Sequence, residues 1–277
     1  MMQGVWQLFP LTTVISEKMP IEERVRQNPL RTFQRYPAIL GRIPLFLPCN
    51  ERVRVEEMLQ CRWGSVLFRQ KCLNMTDEAI FIALVNRGGM FEGSITDLCR
   101  LTGLTSRDSV SKAVESLQNN LVEVTIKDSD VDFILRGALV KADGNWNNLT
   151  LKLHEQLICT TEQAKNDQHY RNIDMDIRAE LSLTGKALHR FITSHKLEQS
   201  YGVELVRQAV APLQRIDNLK QEIRKQLELM QSKGFLKSFA LDRGKLKYVR
   251  VKTVVKNPKT VVKKVKTVGF RHCNLLF

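Results

Sequence analysis

One order of predicted elements occurs twice in this chain, and this repetition limits the fold more than any other feature of the sequence. The first copy begins with a helix near Thr76 to Asn86, and the second begins with a helix that Ser182 can cap. In both copies a short strand, a short helix, a turn, a longer amphipathic helix and a β-rich hairpin follow. The repetition predicts two small units, each folded around its own apolar core.

The elements of the first copy can be placed from local signals. A short strand and a short helix are predicted within Phe91 to Leu101, and a second helix begins at Thr105. Thr105 and Asp108 have the spacing of a capping box, in which each side chain accepts a hydrogen bond from the backbone amide of the other residue. The β-rich runs 121–126 and 132–136 flank a polar turn and are predicted to form the hairpin. This order of elements is that of a winged helix.

The second copy has the same order without obvious sequence identity to the first. A short helix at Glu204 to Val210 is followed by a turn and a long helix at Gln214 to Ser232. The long helix ends there because Gly234 can adopt the left-handed conformation that closes a helix. Residues 235–241 and 245–251 form the predicted hairpin.

These elements predict an α+β chain that is mainly helical and contains two tandem winged-helix domains. Five prolines within the first 45 residues exclude a long regular element there. The predicted division is an N-terminal arm or linker at 1–45, a first domain at 46–165, a second domain at 166–251 and a basic tail at 252–277.

Positive charge limits the function. The chain has 43 Lys and Arg against 29 Asp and Glu, which gives a formal net charge of +14. Asp242 is the only acid after Lys233, so much of the excess lies toward the C-terminus. Such an excess predicts an anionic partner, either nucleic acid or an acidic membrane surface. No apolar run approaches the roughly 20 residues that cross a membrane, and no signal peptide is recognised, so we expect no membrane partner and a cytoplasmic location.

Residues for catalysis or metal binding do not occur at the required spacings. The six cysteines include no Cys-x-x-Cys pair, so we expect no structural metal and no cofactor. The segment Leu183 to Lys186 lacks the upstream glycine and the following Ser or Thr of a nucleotide-binding loop. The histidines never stand at the spacing of a nicking enzyme. We therefore expect a protein that is not an enzyme.

The long helix of the second copy has the residue types of a DNA-reading helix. Its apolar residues follow a 3.6-residue period along one face: Ile216, Leu219, Ile223, Leu227 and Met230. Amide side chains on the other face suit adenine, and cationic ones suit guanine or phosphate. The predicted DNA-contacting residues are Gln214, Arg215, Asn218, Gln221, Arg224 and Lys225 in the helix, and Arg243, Lys245, Lys247 and Arg250 in the wing.

A solvated surface helix is the alternative interpretation of this face, with Asn218 and Gln221 as a helix cap. The basic wing that follows the helix favours DNA, because its cations would lie beside the same duplex. The corresponding helix of the first copy exposes the acids Asp108 and Glu115, which would repel phosphates. Its candidate contacts are Arg107 and Lys112, and a protein–protein role such as homodimerisation is the alternative.

Several segments resemble the plasmid replication initiator family, the Rep/TrfA type with two winged-helix domains. In the second copy these segments are Leu181 to His195 and Leu227 to Phe235, followed by the wing. In the first copy they are Ile95 to Gly103 and the capped helix after it. The resemblance covers roughly residues 70–251, and its motifs are degenerate patterns.

The resemblance implies binding to short direct repeats, called iterons, at a bacterial replication origin. It also implies opening of nearby A+T-rich DNA and recruitment of the host helicase and DnaA. The third helix of the second domain, here Gln214 to Ser232, would read one repeat. A winged-helix transcriptional regulator, acting as a repressor, and a scaffold for replication or partition proteins are the alternatives that remain open.

Overall fold

The computed structural model describes residues 33–128, 131–157 and 170–251. The predicted basic tail and the first 32 residues of the predicted arm lie outside these ranges. Helices and strands occupy 40% and 34% of the structure, so the α+β class is confirmed but a mainly helical chain is not.

The first unit begins earlier than the sequence predicts and contains most of the strands. Its helices are α1 (Met75–Asn86), α2 (Ile95–Thr102) and α3 (Arg107–Asn119). Its strands are β1 (Phe33–Pro37), β2 (Phe46–Leu47), β3 (Leu59–Cys61), β4 (Gly64–Phe68), β5 (Leu73–Asn74), β6 (Met90–Gly93), β7 (Val122–Asp128), β8 (Val131–Gly137), β9 (Val140–Asn145) and β10 (Asn148–Leu153).

Polar side chains define where these helices begin. Asn74 and Asp77 form a capping box at α1, and Ser94 caps α2 in the same way. The predicted capping box at Thr105 does not form, because the N-cap of α3 is Ser106, whose Oγ accepts from the Ser109 amide at 3.2 Å. Two adjacent hydroxyl residues satisfy the same local rule, and only the path of the chain selects between them.

The wing of the first unit is not the hairpin that the sequence predicts. β6 pairs with β10, and β10 pairs with β9, so the β9–β10 hairpin completes this winged helix. β7 and β8, which contain the predicted runs, join a separate sheet of order β3-β4-β7-β8. β7 and β8 are rich in β-forming residues, whereas β9 has the sequence VKADGN, so local propensity favours the β7–β8 hairpin. The strands that form the wing are therefore selected by tertiary packing.

The second unit agrees with its predicted order. Its elements are β11 (Tyr170–Asp174), α4 (Met175–Glu180), α5 (Leu183–Thr193), β12 (Glu198–Gly202), α6 (Val203–Val210), α7 (Ile216–Ser232), β13 (Leu236–Asp242) and β14 (Lys245–Arg250). β14 pairs with both β12 and β13, as a winged helix requires. Gly234 has φ of 75°, the left-handed conformation predicted for the end of α7.

Residues 33–45 belong to the fold, although their prolines predicted an arm. β1 pairs in antiparallel fashion with β11 of the second unit, while the ring of Tyr36 packs on that of Phe81 in α1 at 5.9 Å. A 3₁₀ turn follows at Leu40–Arg42. A Cβ atom on Gly41 would lie 1.8 Å from Oγ of Ser194, the C-cap residue of α5. Only glycine therefore allows the turn to come this close to the end of α5. This segment therefore joins the two units.

A buried ion triad also joins the two units. Glu78 of α1 has no solvent exposure, and it pairs with Arg178 of α4 and Arg190 of α5. Arg190 Nη1 lies 2.6 Å from Glu78 Oε1, and its Nη2 donates to the carbonyl oxygen of Phe46 at 3.2 Å. Arg178 Nη1 donates to the carbonyl oxygen of Lys186 at 2.7 Å. The guanidinium groups thus have partners for charge and for hydrogen bonding.

An aromatic contact adds to this junction. The ring of Trp63, in the turn between β3 and β4, lies 5.5 Å from Phe191 and 5.7 Å from Tyr201, measured between ring centroids. The ring of His195 lies 4.8 Å from the same indole. Edge-to-face pairs of this kind stabilise packing beyond simple area burial. One continuous core runs through both units.

We expect Glu78→Gln to lower the free energy of unfolding by about 3–5 kcal/mol at neutral pH, because two buried guanidinium groups would lose their counter-charge. Urea denaturation measures this change. Glu123→Gln is the matched control, since Glu123 also pairs with two arginines, Arg69 and Arg136, but these are 60% and 72% exposed. The control should lose less than about 1 kcal/mol. Equal losses for both variants would contradict this role of the triad.

Because of the Glu78 carboxylate, we also expect the free energy of unfolding to decrease in acid. Burial alone would raise the pKa of Glu78, but Arg178 and Arg190 lower it below its ordinary value. A lowered pKa in the folded state means that the stabilisation is present above the unfolded-state pKa, about 4.3, and is lost as the pH falls through the folded-state pKa. Urea midpoints measured between neutral pH and pH 3 should therefore fall more steeply for the wild type than for Glu78→Gln.

Candidate nucleic-acid interface

α7 is fixed to its unit along one face. Leu219, Ile223, Leu227 and Met230 are fully buried, as their 3.6-residue spacing predicts. Gln226 is buried beside them, and its Oε1 accepts a hydrogen bond from the Ser182 amide at 3.2 Å. The position of α7 on α5 is therefore set by apolar packing and by a directed hydrogen bond.

The opposite face of α7 is open to solvent. It carries two exposed amide and two exposed cationic side chains: Asn218, Gln221, Arg224 and Lys225. Arg215, the N-cap residue just before the helix, is also exposed. Within the described ranges, no hydrogen bond or ion pair occupies these side chains. Such a face can offer bidentate amide contacts to adenine and cationic contacts to guanine or phosphate.

Gln214 does not belong to this face. It is half-buried in the turn before α7, and its Nε2 donates to Thr184 Oγ1 at 3.1 Å. Gln214 precedes the first helical residue, so the helical period used to place it does not apply there. The structure gives this side chain a role in holding the turn.

Arg207 of α6 holds the same turn. Its Nη1 donates to the carbonyl oxygen of Pro212 at 2.5 Å, and Glu204 Oε1 accepts from its Nη2 at 2.6 Å. The pair orients α6 relative to the start of α7. Arg215, the N-cap residue, makes no side-chain cap, so the first amides of α7 stay available to an anion such as a phosphate.

The wing places cations beside α7. Lys245 and Lys247 are exposed on alternate positions of β14, while Leu246 between them is buried. Arg243 occupies the hairpin turn with φ of 45° and a side chain that is 93% exposed. The turn residue and the two lysines can therefore reach phosphates along one side of the hairpin.

Arg250 was predicted as a wing contact but is occupied inside the unit. Its Nη2 donates to the carbonyl oxygen of His195 at 3.0 Å, and its guanidinium lies 6.0 Å from the ring of Phe235. Burial lowers the pKa of Arg250. This arginine ties the end of the wing to the residues that follow α5, and its guanidinium is already engaged inside the unit.

A cleft of about 300 Å³ lies between α7 and the tip of the wing. Lys220 and Arg224 line it from the helix, and Arg243 lines it from the hairpin. Lys220 is not among the DNA contacts predicted from the sequence, because its position on the helical wheel lies between the apolar face and the polar face. The sequence feature that could have indicated Lys220 is its position directly before Gln221, on a helix that a basic wing follows.

The first unit exposes a mixed surface. Arg107, Asp108, Lys112 and Glu115 are all exposed on α3, and Lys112 Nζ lies 2.7 Å from Asp108 Oδ2. This pair cancels part of the positive charge that a phosphate would meet. Within the described residues, the exposed Arg107 makes no ion pair.

No helix in the described ranges is long and apolar enough to cross a membrane. Among the same residues, no group of three or more His, Cys, Asp or Glu side chains has the geometry to hold a metal ion.

Comparisons with known proteins identify the fold. No protein-family model matches the chain, and no curated protein sequence matches it significantly. A crystal structure of domains 2 and 3 of RctB is similar, with a TM-score of 0.53 and 10% identity, covering 78% of this chain and 98% of that chain. At this identity the similarity establishes a shared fold across both units.

Two further solved structures are similar at lower scores. A second structure of RctB domains 2–3 has a TM-score of 0.49 and 10% identity, covering 77% of this chain and 97% of that chain. The Pi initiator protein in complex with iteron DNA has a TM-score of 0.46 and 12% identity, covering 80% of this chain and 98% of that chain.

The different positions of Gln221 and Gln214 predict different effects of the same substitution. Gln221→Ala should reduce discrimination between cognate and altered DNA by about 1–3 kcal/mol and leave the unfolding midpoint unchanged. Gln214→Ala should lower the unfolding midpoint, because Thr184 loses its partner. Competition gel shifts and thermal denaturation measure the two effects. A loss of base discrimination in Gln214→Ala with unchanged stability would contradict this assignment.

Proposed function

We propose that this chain is a replication initiator that binds double-stranded DNA at origin repeats and has no catalytic chemistry of its own. The observation that carries the proposal is the exposed amide and cationic face of α7 beside a basic wing. The element order of the second unit supports a recognition role for α7, because α7 follows the turn of the helix-turn-helix. We propose that the protein acts in the bacterial cytoplasm.

In this proposal α7 enters the major groove, whose width admits a helix. Asn218 and Gln221 contact base edges, while Arg224 and Lys225 contact guanine or phosphate. Lys245 and Lys247 follow the neighbouring phosphates from the wing and fix the register of the helix on the duplex. The burial of the opposite face of α7 preorganises these contacts, so little side-chain and backbone order is lost on binding.

The choice of an origin as the target rests on the sequence resemblance and on the arrangement of the two units. The ion triad and the shared core hold the winged helices at one separation, which suits a repeated site longer than one winged helix covers. Arg107 of the first unit then adds a phosphate contact, or the first unit pairs with a second copy. Opening of A+T-rich DNA and recruitment of helicase and DnaA belong to the same proposal.

A fragment-replication assay tests the proposal. The gene with its flanking DNA is cloned on a fragment without another origin, and the fragment is expected to replicate as an independent element. Footprinting on that fragment should protect a tandem array of repeats. Protection of a single palindromic promoter site, without replication, would instead support a winged-helix transcriptional regulator.

Salt dependence tests the electrostatic part of the proposal. About 6 phosphate contacts predict that log K falls with log salt at a slope of about −5. Lys225→Ala should weaken binding to every sequence and reduce the slope by about 1. Arg136→Ala is the control, because this substitution removes the same charge from an exposed position outside α7 and its wing. Arg136 lies on β8 of the first unit. An affinity that does not change with salt would exclude this mode of binding.

A further inference from the structure

Two thiols lie in contact beside the turn that leads into α7. The Sγ atoms of Cys49 and Cys72 are 3.6 Å apart. Cys72 is fully buried and Cys49 is half-buried, so one of the two is accessible to a reagent. A disulfide bond is about 2.05 Å long, and the two sulfurs need to approach by only about 1.5 Å to form one.

The chain segments that carry these thiols are fastened together. β2, which ends two residues before Cys49, pairs in parallel with β5, which begins directly after Cys72. Asn74 Nδ2 donates to the carbonyl oxygen of Asn50 at 3.2 Å, and Arg52 Nε donates to Asp77 Oδ2 at 3.0 Å. The thiols are therefore held as neighbours by the fold itself, on both sides of Cys49.

The hydrogen bond between the thiols also favours reaction. The contact with Cys49 is the chief cause that lowers the pKa of Cys72 to about 7, while the contact with Cys72 raises the pKa of Cys49. The contact thus makes it easier for the pair to lose one proton, and either sulfur can hold the proton that remains. A thiolate, not a thiol, is the nucleophile of disulfide exchange.

The loop that carries Cys49 faces the turn of the helix-turn-helix. Leu47, Pro48 and Cys49 line one side of an apolar cavity of about 100 Å³, and residues 211–214 line the other side. The same turn is held by Arg207 and by the side chain of Gln214. A shift of the Cys49 loop therefore acts on the segment that positions the start of α7.

We propose that Cys49 and Cys72 form a redox-responsive dithiol, which small-molecule disulfides oxidise and whose oxidation weakens DNA binding through the turn at 211–214. With the remaining proton of the pair on Cys72, the accessible Cys49 sulfur attacks the reagent disulfide as a thiolate and releases one reagent thiolate. Cys72 then gives up that proton, attacks the Cys49 sulfur and releases the second reagent thiolate. Two protein thiols are oxidised, the reagent is reduced to two thiols, and the two protons of the protein thiols pass to them. The effect on DNA rests on the proposed function, whereas formation of the bond does not.

Peptide mapping tests bond formation. The full-length folded protein is treated with oxidised glutathione, alkylated and digested with trypsin. Cleavage after Arg42, Arg52, Lys71 and Arg87 places the two thiols on separate peptides, 43–52 and 72–87. We expect these peptides joined, and separated again by dithiothreitol. No joined 43–52 and 72–87 peptides, or pairs containing Cys159 or Cys273 instead, would overturn the proposal.

Gel shifts of the oxidised and the reduced protein test the effect on DNA. We expect oxidation to weaken DNA binding by about tenfold. The two sulfurs must approach by about 1.5 Å, and a shift of about 1 Å in a preorganised site can lower its activity by this factor or more. Cys72→Ser should bind with unchanged affinity and lose the response, and Cys99→Ser, a buried cysteine of α2, should keep it. A joined peptide with unchanged affinity would overturn the link to the turn. If the reduced protein does not bind DNA, the proposed function is overturned. The peptide map then still decides whether Cys49 and Cys72 form a disulfide bond.

Discussion

The carboxylate of Glu78 needs positive partners, because an unpaired charge inside a protein costs several kcal/mol. Both partners come from the other unit, Arg178 and Arg190, and one of these guanidinium groups also binds a carbonyl oxygen of the first unit. The triad can form only at one mutual orientation of α1, α4 and α5. It therefore specifies how the two winged helices are joined, while the apolar core around it supplies most of the stabilisation.

The second unit divides its long polar side chains between support and recognition. Arg207, Gln214 and Arg250 are bound to groups inside the unit, where they hold the turn before α7 and the end of the wing. Asn218 and Gln221 are exposed on α7. Arginine and amide side chains therefore have two different roles in this unit. Those bound inside it hold the turn and the wing, and this fixes the helix that carries the exposed amides.

The turn between α6 and α7 connects recognition to the rest of the molecule. It contacts the first unit through the apolar cavity beside Cys49, and it contacts the second unit through Arg207 and Thr184. The orientation of the reading helix thus depends on contacts from both units. A chemical change at the Cys49 loop would reach DNA binding by this short path.

Local patterns in the sequence determined the order of elements, the buried face of α7 and its end at Gly234. These features depend on helical period and on the conformational freedom of glycine, which are encoded in neighbouring residues. The tertiary structure alone decided that β9 and β10 form the first wing, that Glu78 meets two arginines, and that Gln214 and Arg250 turn inward. Each of these depends on groups far apart in the chain, because strand partners and hydrogen-bond partners are selected by distance in the folded molecule and not by spacing in the sequence.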